Sequence, residues 1–493
     1  MFTPTAQQLA IVEASVASKD NLLVSALAGA AKTTTLELIA KANPGTQMMC
    51  LAFNKRIVEE MSKKLPRNCV AKTMNALGHS AWADAIGKKC RVDFGKMGGI
   101  FKELLQELDK DDQKIAWKSM GFILRSVGEG KSAGYVPDEI DNRYSVKGDK
   151  KYKNTRLMCD DEFFEALPEE PSSLEWGMIR VISAKSIDLA FTGNIDFGDQ
   201  LLMPTVFRSF FPSFALILVD EAQDLSALNH AMLDKLVKRR IIAVGDQCQA
   251  IYGFRGAHED GMSRMKDHFS MTEYPLSCSF RCPKAIVEHV QWRAPDMTWW
   301  EDNPANLTGF AKTKILWSMA DLPEECAVIC RNNAPLFALA IELLQFGRYP
   351  NLWGNDVAKP LMTTMQSLGN AATYREDALD ALRVWHDTKA KRARNKASLR
   401  DRARCVEVFL ERCDTLGEAI AYAENVLSST GKIDLLTGHK SKGHEWSDVY
   451  ILDQQLIGDE GQEPNLRYVM ATRSLAHLTY VTTEMLEGRV QDE

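Results

Sequence analysis

The chain reads as an α/β protein with two parallel-sheet domains, each interrupted by a mainly helical insertion. Three observations predict this. Strand and helix signals alternate through the first 85 residues. A run of four apolar residues, Leu216-Ile217-Leu218-Val219, ends in two carboxylates, Asp220 and Glu221. A second set of strand signals begins near Leu276. Alternating strands and helices build parallel sheets, and an unbroken apolar run is the mark of a strand buried on both faces.

Element by element, Leu22–Ser25 reads as a strand, Thr34–Lys41 as a helix, Met48–Phe53 as a strand and Lys55–Lys64 as a helix. Residues 86–195 are polar and mostly helical, with a basic loop at Lys147, Lys150, Lys151, Lys153 and Arg156. Strand signals return at Leu216–Val219 and Ile241–Val244. The first domain is therefore expected to comprise residues 1–85 and 196–275 around an insertion at 86–195. The second is expected to comprise residues 276–354 and 431–493, with strands at Ala327–Cys330, Val449–Leu452 and Thr479–Thr482. Its smaller insertion, 355–430, carries the basic run Lys389, Lys391, Arg392, Arg394, Lys396, Arg400, Arg402 and Arg404, which suits either duplex phosphates or a solvated helix surface.

Bulk properties narrow the class. At 493 residues the chain exceeds one ordinary core, so several domains are expected. No apolar run reaches the roughly 18 residues that cross a membrane, and the start, Met1-Phe2-Thr3-Pro4-Thr5, lacks the regions of a signal peptide. A cytoplasmic protein is expected. Eleven scattered cysteines, without short CxxC spacing, read as reduced core thiols rather than zinc ligands or disulfides. A net charge of −6 argues against a passive polyanion binder but leaves room for a local basic channel.

The chemistry concentrates in two places. Ala26-Leu27-Ala28-Gly29-Ala30-Ala31-Lys32-Thr33 follows a strand and opens a helix, the context of a phosphate-binding loop. Lys32 would reach phosphate oxygens and Thr33 would hold magnesium. Asp220, at the end of its strand, suits the same metal, and Glu221 suits a water about to attack a phosphate. A nucleoside triphosphate and Mg2+ are thus the expected ligands, and Lys32, Thr33, Asp220 and Glu221 the expected catalytic group. One departure stands out: the residue before the lysine is Ala31, where the GxxxxGK[ST] pattern has glycine.

Four further segments carry a resemblance. Val244–Ala257, Leu276–Arg281, Thr437–Trp446 and Asn465–Ser474 are similar, in this order, to motifs III to VI of superfamily 1 helicases of the UvrD/Rep/PcrA type. The Asn465-Leu466 variant and the small insertions resemble compact members of the family, phage-encoded ones among them. The resemblance implies two RecA-like domains and an ATP-dependent DNA helicase moving 3′ to 5′ on single strands. It also implies roles for single residues. Gln7 would read adenine and Phe280 would stack on it; Ala28, Gly29, Ala30, Ala31 and Thr34 would line the phosphates with Lys32 and Thr33. Glu445 would bond the ribose. Gln249 would sense the γ-phosphate, and Arg281 and Arg473 would act as arginine fingers. Lys55, Asn75, Tyr252, Phe254, Arg255 and His439 would contact DNA, the two aromatics by stacking on bases or else by packing in the core. Trp446 suits the core and a DNA face equally. His444 stands where the family is usually apolar. The implied partners are single-stranded DNA and its junctions with duplex, together with replication or recombination proteins, and the implied state is a monomer. Two alternatives to unwinding stand beside it: a translocase that strips proteins from DNA, and a hydrolysis-deficient scaffold, which Ala31 makes conceivable.

Overall fold

The computed structural model describes residues 3–52, 54–140, 155–207, 209–253, 260–394 and 396–486, with the side chains of residues 355 and 356 set aside. Phe254, Arg255, Lys147, Lys150, Lys151 and Lys153 lie outside the described residues, as does Phe53. The chain divides into two compact units: residues 1–26 with 31–276, and residues 27–30 with 277–493.

The first unit holds strands β1 (Leu22–Ala26), β2 (Met48–Ala52), β3 (Cys69–Thr73), β4 (Arg91–Val92), β5 (Asn194–Ile195), β6 (Leu216–Val219), β7 (Ile241–Gly245) and β8 (Thr272–Leu276). Six of them form one parallel sheet in the order β3-β2-β6-β7-β1-β8. Its central strands are buried end to end, which is why they read as unbroken apolar runs. Two of the helices between strands start at side-chain caps. Asn54 accepts the Ile57 amide at 2.9 Å to open helix Lys55–Lys64, and Thr73 accepts the Ala76 amide to open Met74–Ile86. Because β6, β7 and β1 are neighbours, the turns at their carboxyl ends converge on one spot.

The segment between β3 and β6 is built from helices Lys96–Glu107, Lys110–Ala133, Asp160–Ala166 and Ser173–Phe191 around its own apolar core, including Phe101, Ile123, Val127 and Ile179. Beside that core lies a buried ionic cluster. Lys131 meets Asp199 at 2.7 Å and also Asp196, and Lys96 meets Asp199 at 2.6 Å. Ser186 supplies its hydroxyl to Lys131 and its carbonyl to Lys96, both at 2.7 Å. Two ammonium groups and two carboxylates cancel, so the cluster withstands burial that a lone charge would not. Burial alone would raise the Asp199 carboxyl; the two lysines outweigh it and hold the group below the ordinary carboxylate range. Asp196 and Asp199 bracket a turn, each accepting the other's backbone N–H, and Phe197 at its tip is 60% exposed.

The second unit contains β9 (Cys278–Ser279), β10 (Thr298–Trp299), β11 (Phe310–Thr313), β12 (Cys326–Cys330), β13 (Pro350–Leu352), β14 (Ile433–Thr437), β15 (Trp446–Leu452) and β16 (Ser474–Val481). Its six-stranded sheet is again parallel, in the order β11-β16-β15-β12-β14-β13. Between β13 and β14 run helices Asn355–Gln366, Arg375–Ala390, Lys396–Leu410 and Leu416–Leu427, which share one core with the sheet through Leu382, Val406, Phe409 and Leu416. Two large parallel sheets are what the alternation of sequence signals anticipates. Among the described residues no helix is long and apolar enough to cross a membrane.

Candidate active site

The first unit brings four of the expected residues together. Lys32 opens the helix after β1, and its Nζ lies 2.8 Å from Glu221 Oε2. Thr33 Oγ1 donates to Asp220 Oδ2 at 3.1 Å. The Glu221 amide donates back to Asp220 Oδ1 at 2.9 Å, which turns the chain sharply after β6. Glu221 itself sits in the left-handed region at φ 53°, a strained conformation for a residue with a side chain.

A chain of hydrogen bonds extends this cluster to Gln249. Gln223 Nε2 donates to Glu221 Oε2 at 2.6 Å, and Gln223 Oε1 accepts the Asp246 amide at 2.9 Å. Asp246 in turn accepts from Gln249 Nε2 at 2.6 Å. All three relay residues are buried. Gly245 makes room for it, since a Cβ there would lie 2.8 Å from Gln223 Oε1. No motif of the sequence points to Gln223. The signal for Asp246 is the same as for Asp220, an acid ending a buried strand.

The electrostatics follow from crowding three carboxylates round one lysine. Burial alone would lower the Lys32 pKa, but Glu221, Asp246 and Asp220 outweigh it and hold the ammonium above its ordinary value. Burial and the neighbouring Glu221 push the Asp220 carboxyl up from 3.8 to about 6. Burial likewise raises Asp246, against the pull of Lys32. An oxygen-only donor pair, Thr33 and Asp220, with a carboxyl destabilised as an anion, fits a hard divalent cation. Among the described residues no group of three or more His, Cys, Asp or Glu side chains is arranged for a metal, so any cation here needs phosphate or water to complete its shell.

The phosphate loop joins β1 to helix Lys32–Ala42. Ala31 is its last residue and takes φ 58°, ψ 45°. This is the conformation glycine adopts freely, and alanine there costs about 1–2 kcal/mol. The departure seen in the sequence is therefore conformational as well as steric. Ala28 and Ala30 are fully buried, and Thr34 is half-buried in the first helical turn. Gln7 is half-buried in helix Ala6–Ala17. Its neighbour Gln8, in the same glutamine pair, is buried; it completes a capping box with Thr5 and donates to Thr35 Oγ1 at 3.1 Å.

In the second unit, Arg281 pairs with Glu445, and Phe280 is half-buried beside Trp300, ring centroids 5.9 Å apart. Arg473 is 1% exposed. Its guanidinium donates to the carbonyls of Val469 and His444, at 2.9 and 3.4 Å, and to Thr472 Oγ1 at 3.2 Å. Among the described residues no carboxylate stands within 4 Å of it. Burial, then the charge of Arg281, lowers its pKa to about 10.

The remaining expected residues lie apart from these clusters. Lys55 is exposed and 3.7 Å from Glu59. Asn75 Nδ2 donates to the Phe197 carbonyl at 3.3 Å, and both residues line a cavity of about 280 Å³ that also touches Asp220. Tyr252 is half-buried at the edge of the described segment. His439 is half-buried in the short helix Gly438–Ser441. Trp446 donates its Nε1 proton to Asp434 at 2.8 Å and packs in a ring cluster with Trp353 and His444.

Residues 5–270, more than half of the chain, match the family described as the UvrD/REP helicase N-terminal domain. The chain is 22% identical to the F-box DNA helicase protein 1 of Schizosaccharomyces pombe, over 96% of this chain and 57% of that protein. It is 23% identical to the F-box DNA helicase 1 of Gallus gallus, over 87% and 42%, and 24% identical to the DNA helicase II of Escherichia coli, over 69% and 50%. The chain thus spans about half the length of these relatives.

Proposed function

Since the chain belongs to the UvrD/REP helicase family, we propose that it is an ATP-dependent DNA helicase that moves 3′ to 5′ along single-stranded DNA. The observation that carries the reading is the Lys32–Glu221 and Thr33–Asp220 pairing at the carboxyl ends of β1 and β6, the strands on either side of β7, wired through Gln223 and Asp246 to Gln249. The names of the relatives, DNA helicases all, agree with it.

In this reading ATP is hydrolysed in a cleft between the two RecA-like domains. Lys32 leaves Glu221 for the phosphate oxygens. That exchange frees the Glu221 carboxylate to take a proton from the attacking water. Thr33 and Asp220 would hold a magnesium ion, which supplies charge neutralisation to the phosphates when bound. Gln7 reads the adenine edge, and Phe280 offers its ring to the base. Arg281 and Arg473 meet the charge that develops on the transferred phosphoryl group, with Glu445 toward the ribose. Gln249 passes the state of the γ-phosphate to Tyr252, Phe254 and Arg255 just beyond it. Asn75, Lys55, His439 and Trp446 belong to the DNA track, and the exposed ring of Phe197, held beside Asn75, joins them as a base-stacking residue. Single-stranded DNA and its junctions with duplex are the substrates, and a cytoplasmic monomer with replication or recombination partners is the setting.

The test is ATP hydrolysis with and without single-stranded DNA, wild type beside Lys32→Ala. Strong DNA stimulation that disappears in the variant is the expected result. A wild type that binds DNA without hydrolysing ATP would replace the motor with a scaffold, and hydrolysis without strand separation would favour a protein-stripping translocase.

A further inference from the structure

Two donors share one oxygen of Glu221. Lys32 Nζ and Gln223 Nε2 both meet Oε2, at 2.8 and 2.6 Å. The lysine is the mobile one, because phosphate oxygens draw it away in the reaction proposed above. The amide is fixed from behind. Gln223 is 1% exposed, and its Oε1 accepts the Asp246 backbone N–H at 2.9 Å. A backbone N–H can only donate, so the amide oxygen must face Asp246 and the NH2 must face Glu221. A flipped amide would set an oxygen against a carboxylate and one N–H against another.

Asp246 is itself anchored. It is fully buried directly after β7, and its carboxylate accepts the Cys248 amide at 3.0 Å and Gln249 Nε2 at 2.6 Å. Glycine at position 245 leaves the space the amide occupies, since a Cβ there would stand 3.1 Å from Gln223 N as well as against its oxygen. Glu221 needs such a hold. Its side chain is 25% exposed and its backbone sits at φ 53°. The Asp224 N–H closes a turn on the Glu221 carbonyl at 3.0 Å, which keeps residues 221 and 223 together. A base displaced by about 1 Å loses about 10²-fold in rate.

We propose that Gln223 is the positioning residue of the base: its amide takes its orientation from the buried strand end and holds the Glu221 carboxylate once Lys32 has moved to the phosphates. The inference rests on the ATPase reading, and every group it uses lies in the first unit. Gln223 acts through Glu221, so its loss slows the chemical step and spares nucleotide binding.

The experiment compares wild type with Gln223→Met, a neutral side chain of similar length without the amide. It uses steady-state ATP hydrolysis and titration with a fluorescent ADP analogue. The expected result is kcat about 10- to 100-fold lower, with KM for ATP and Kd for the analogue within about threefold of wild type. A kcat within about twofold of wild type overturns the proposal and leaves the ATPase reading intact. A loss of ADP binding that matches the loss of kcat also overturns it, since Gln223 is then a structural residue. A wild type that neither binds ADP nor hydrolyses ATP removes both readings. If Gln223→Met fails to fold, Gln223→Asn, which keeps the amide and shortens its reach, is measured against the same limits. Thermal melting without nucleotide adds a readout free of catalysis. Gln223→Glu sets a second carboxylate against Glu221 and is expected to lower the midpoint by about 2–6 °C. In the Glu221→Gln background the same substitution regains a donor–acceptor pair, and the drop is expected to be less than half as large. Equal drops in the two backgrounds overturn the proposal, because the two side chains then do not meet.

Discussion

The two units handle charge in opposite ways. In the first, every ionised group of the candidate site has a partner: Lys32 with Glu221, Asp220 with Thr33 and the Glu221 amide, Asp246 with Gln249. In the second, Arg473 is buried with only neutral acceptors hydrogen-bonded to it among the described residues, and burial, then the charge of Arg281, lowers its pKa. A buried cation with no carboxylate in contact is expensive to hold, and Glu445, farther off, offsets only part of the cost. The contrast concerns the two cations. The first unit stores its lysine in an ion pair that a ligand must break. The second keeps a buried arginine on neutral acceptors.

The largest test of this contrast is Arg473→Met. Turnover should fall about 10³-fold or more, as when an arginine finger is lost. The thermal midpoint should stay near that of wild type or rise, because an apolar side chain replaces a buried charge. A variant that unfolds readily would make Arg473 a structural residue and erase the contrast. The counterpart in the first unit is Glu221→Gln, where turnover should drop about 10²- to 10⁴-fold. Nucleotide binding should persist or tighten, since Lys32 loses its competing carboxylate. Steady-state rates and ADP titrations check both halves, and unchanged turnover would remove Glu221 as the base.

The smallest effect concerns pH. The Asp220 carboxyl is raised in the folded protein from 3.8 to about 6. The folded state therefore binds the proton more tightly than the unfolded chain does. The stability this contributes is fully present below pH 4 and is lost as the pH rises through 6. Asp220→Asn should remove that dependence and leave the nucleotide-free protein about 1–3 kcal/mol more stable than wild type at pH 7.5. Melting curves of both proteins across pH 4–8 measure it. Parallel curves would show that Asp220 titrates alike in the folded and unfolded chains.

Much of the architecture was legible where burial is two-sided. The strand Leu216–Val219 and the helix Lys55–Lys64 coincide with the sequence reading to the residue, because one is wholly apolar and the other is flanked by an asparagine cap. Strands β3 and β8 carry no such signal. Cys69–Thr73 is mostly half-buried and includes a lysine, and Thr272–Leu276 is an edge strand with a proline, largely exposed. Strand β14 hides an aspartate, Asp434, that serves as acceptor for Trp353 and Trp446. At the site, local motifs pointed to Lys32, Thr33, Asp220 and Glu221. Gln223 cannot be found that way. Its partner, Asp246, ends a different strand, and a hydrogen bond of that range leaves no periodicity to read.

The buried cluster of Lys96 and Lys131 has a consequence for proteolysis. Both side chains are 0–4% exposed, locked against Asp199 and Ser186, while other lysines of the same helices lie in solvent. Trypsin must seat a lysine side chain in its own pocket, so cleavage after Lys131 requires the helices around it to come apart first. Cuts at the surface lysines report fraying, and a cut after Lys131 reports the opening of the whole helical layer.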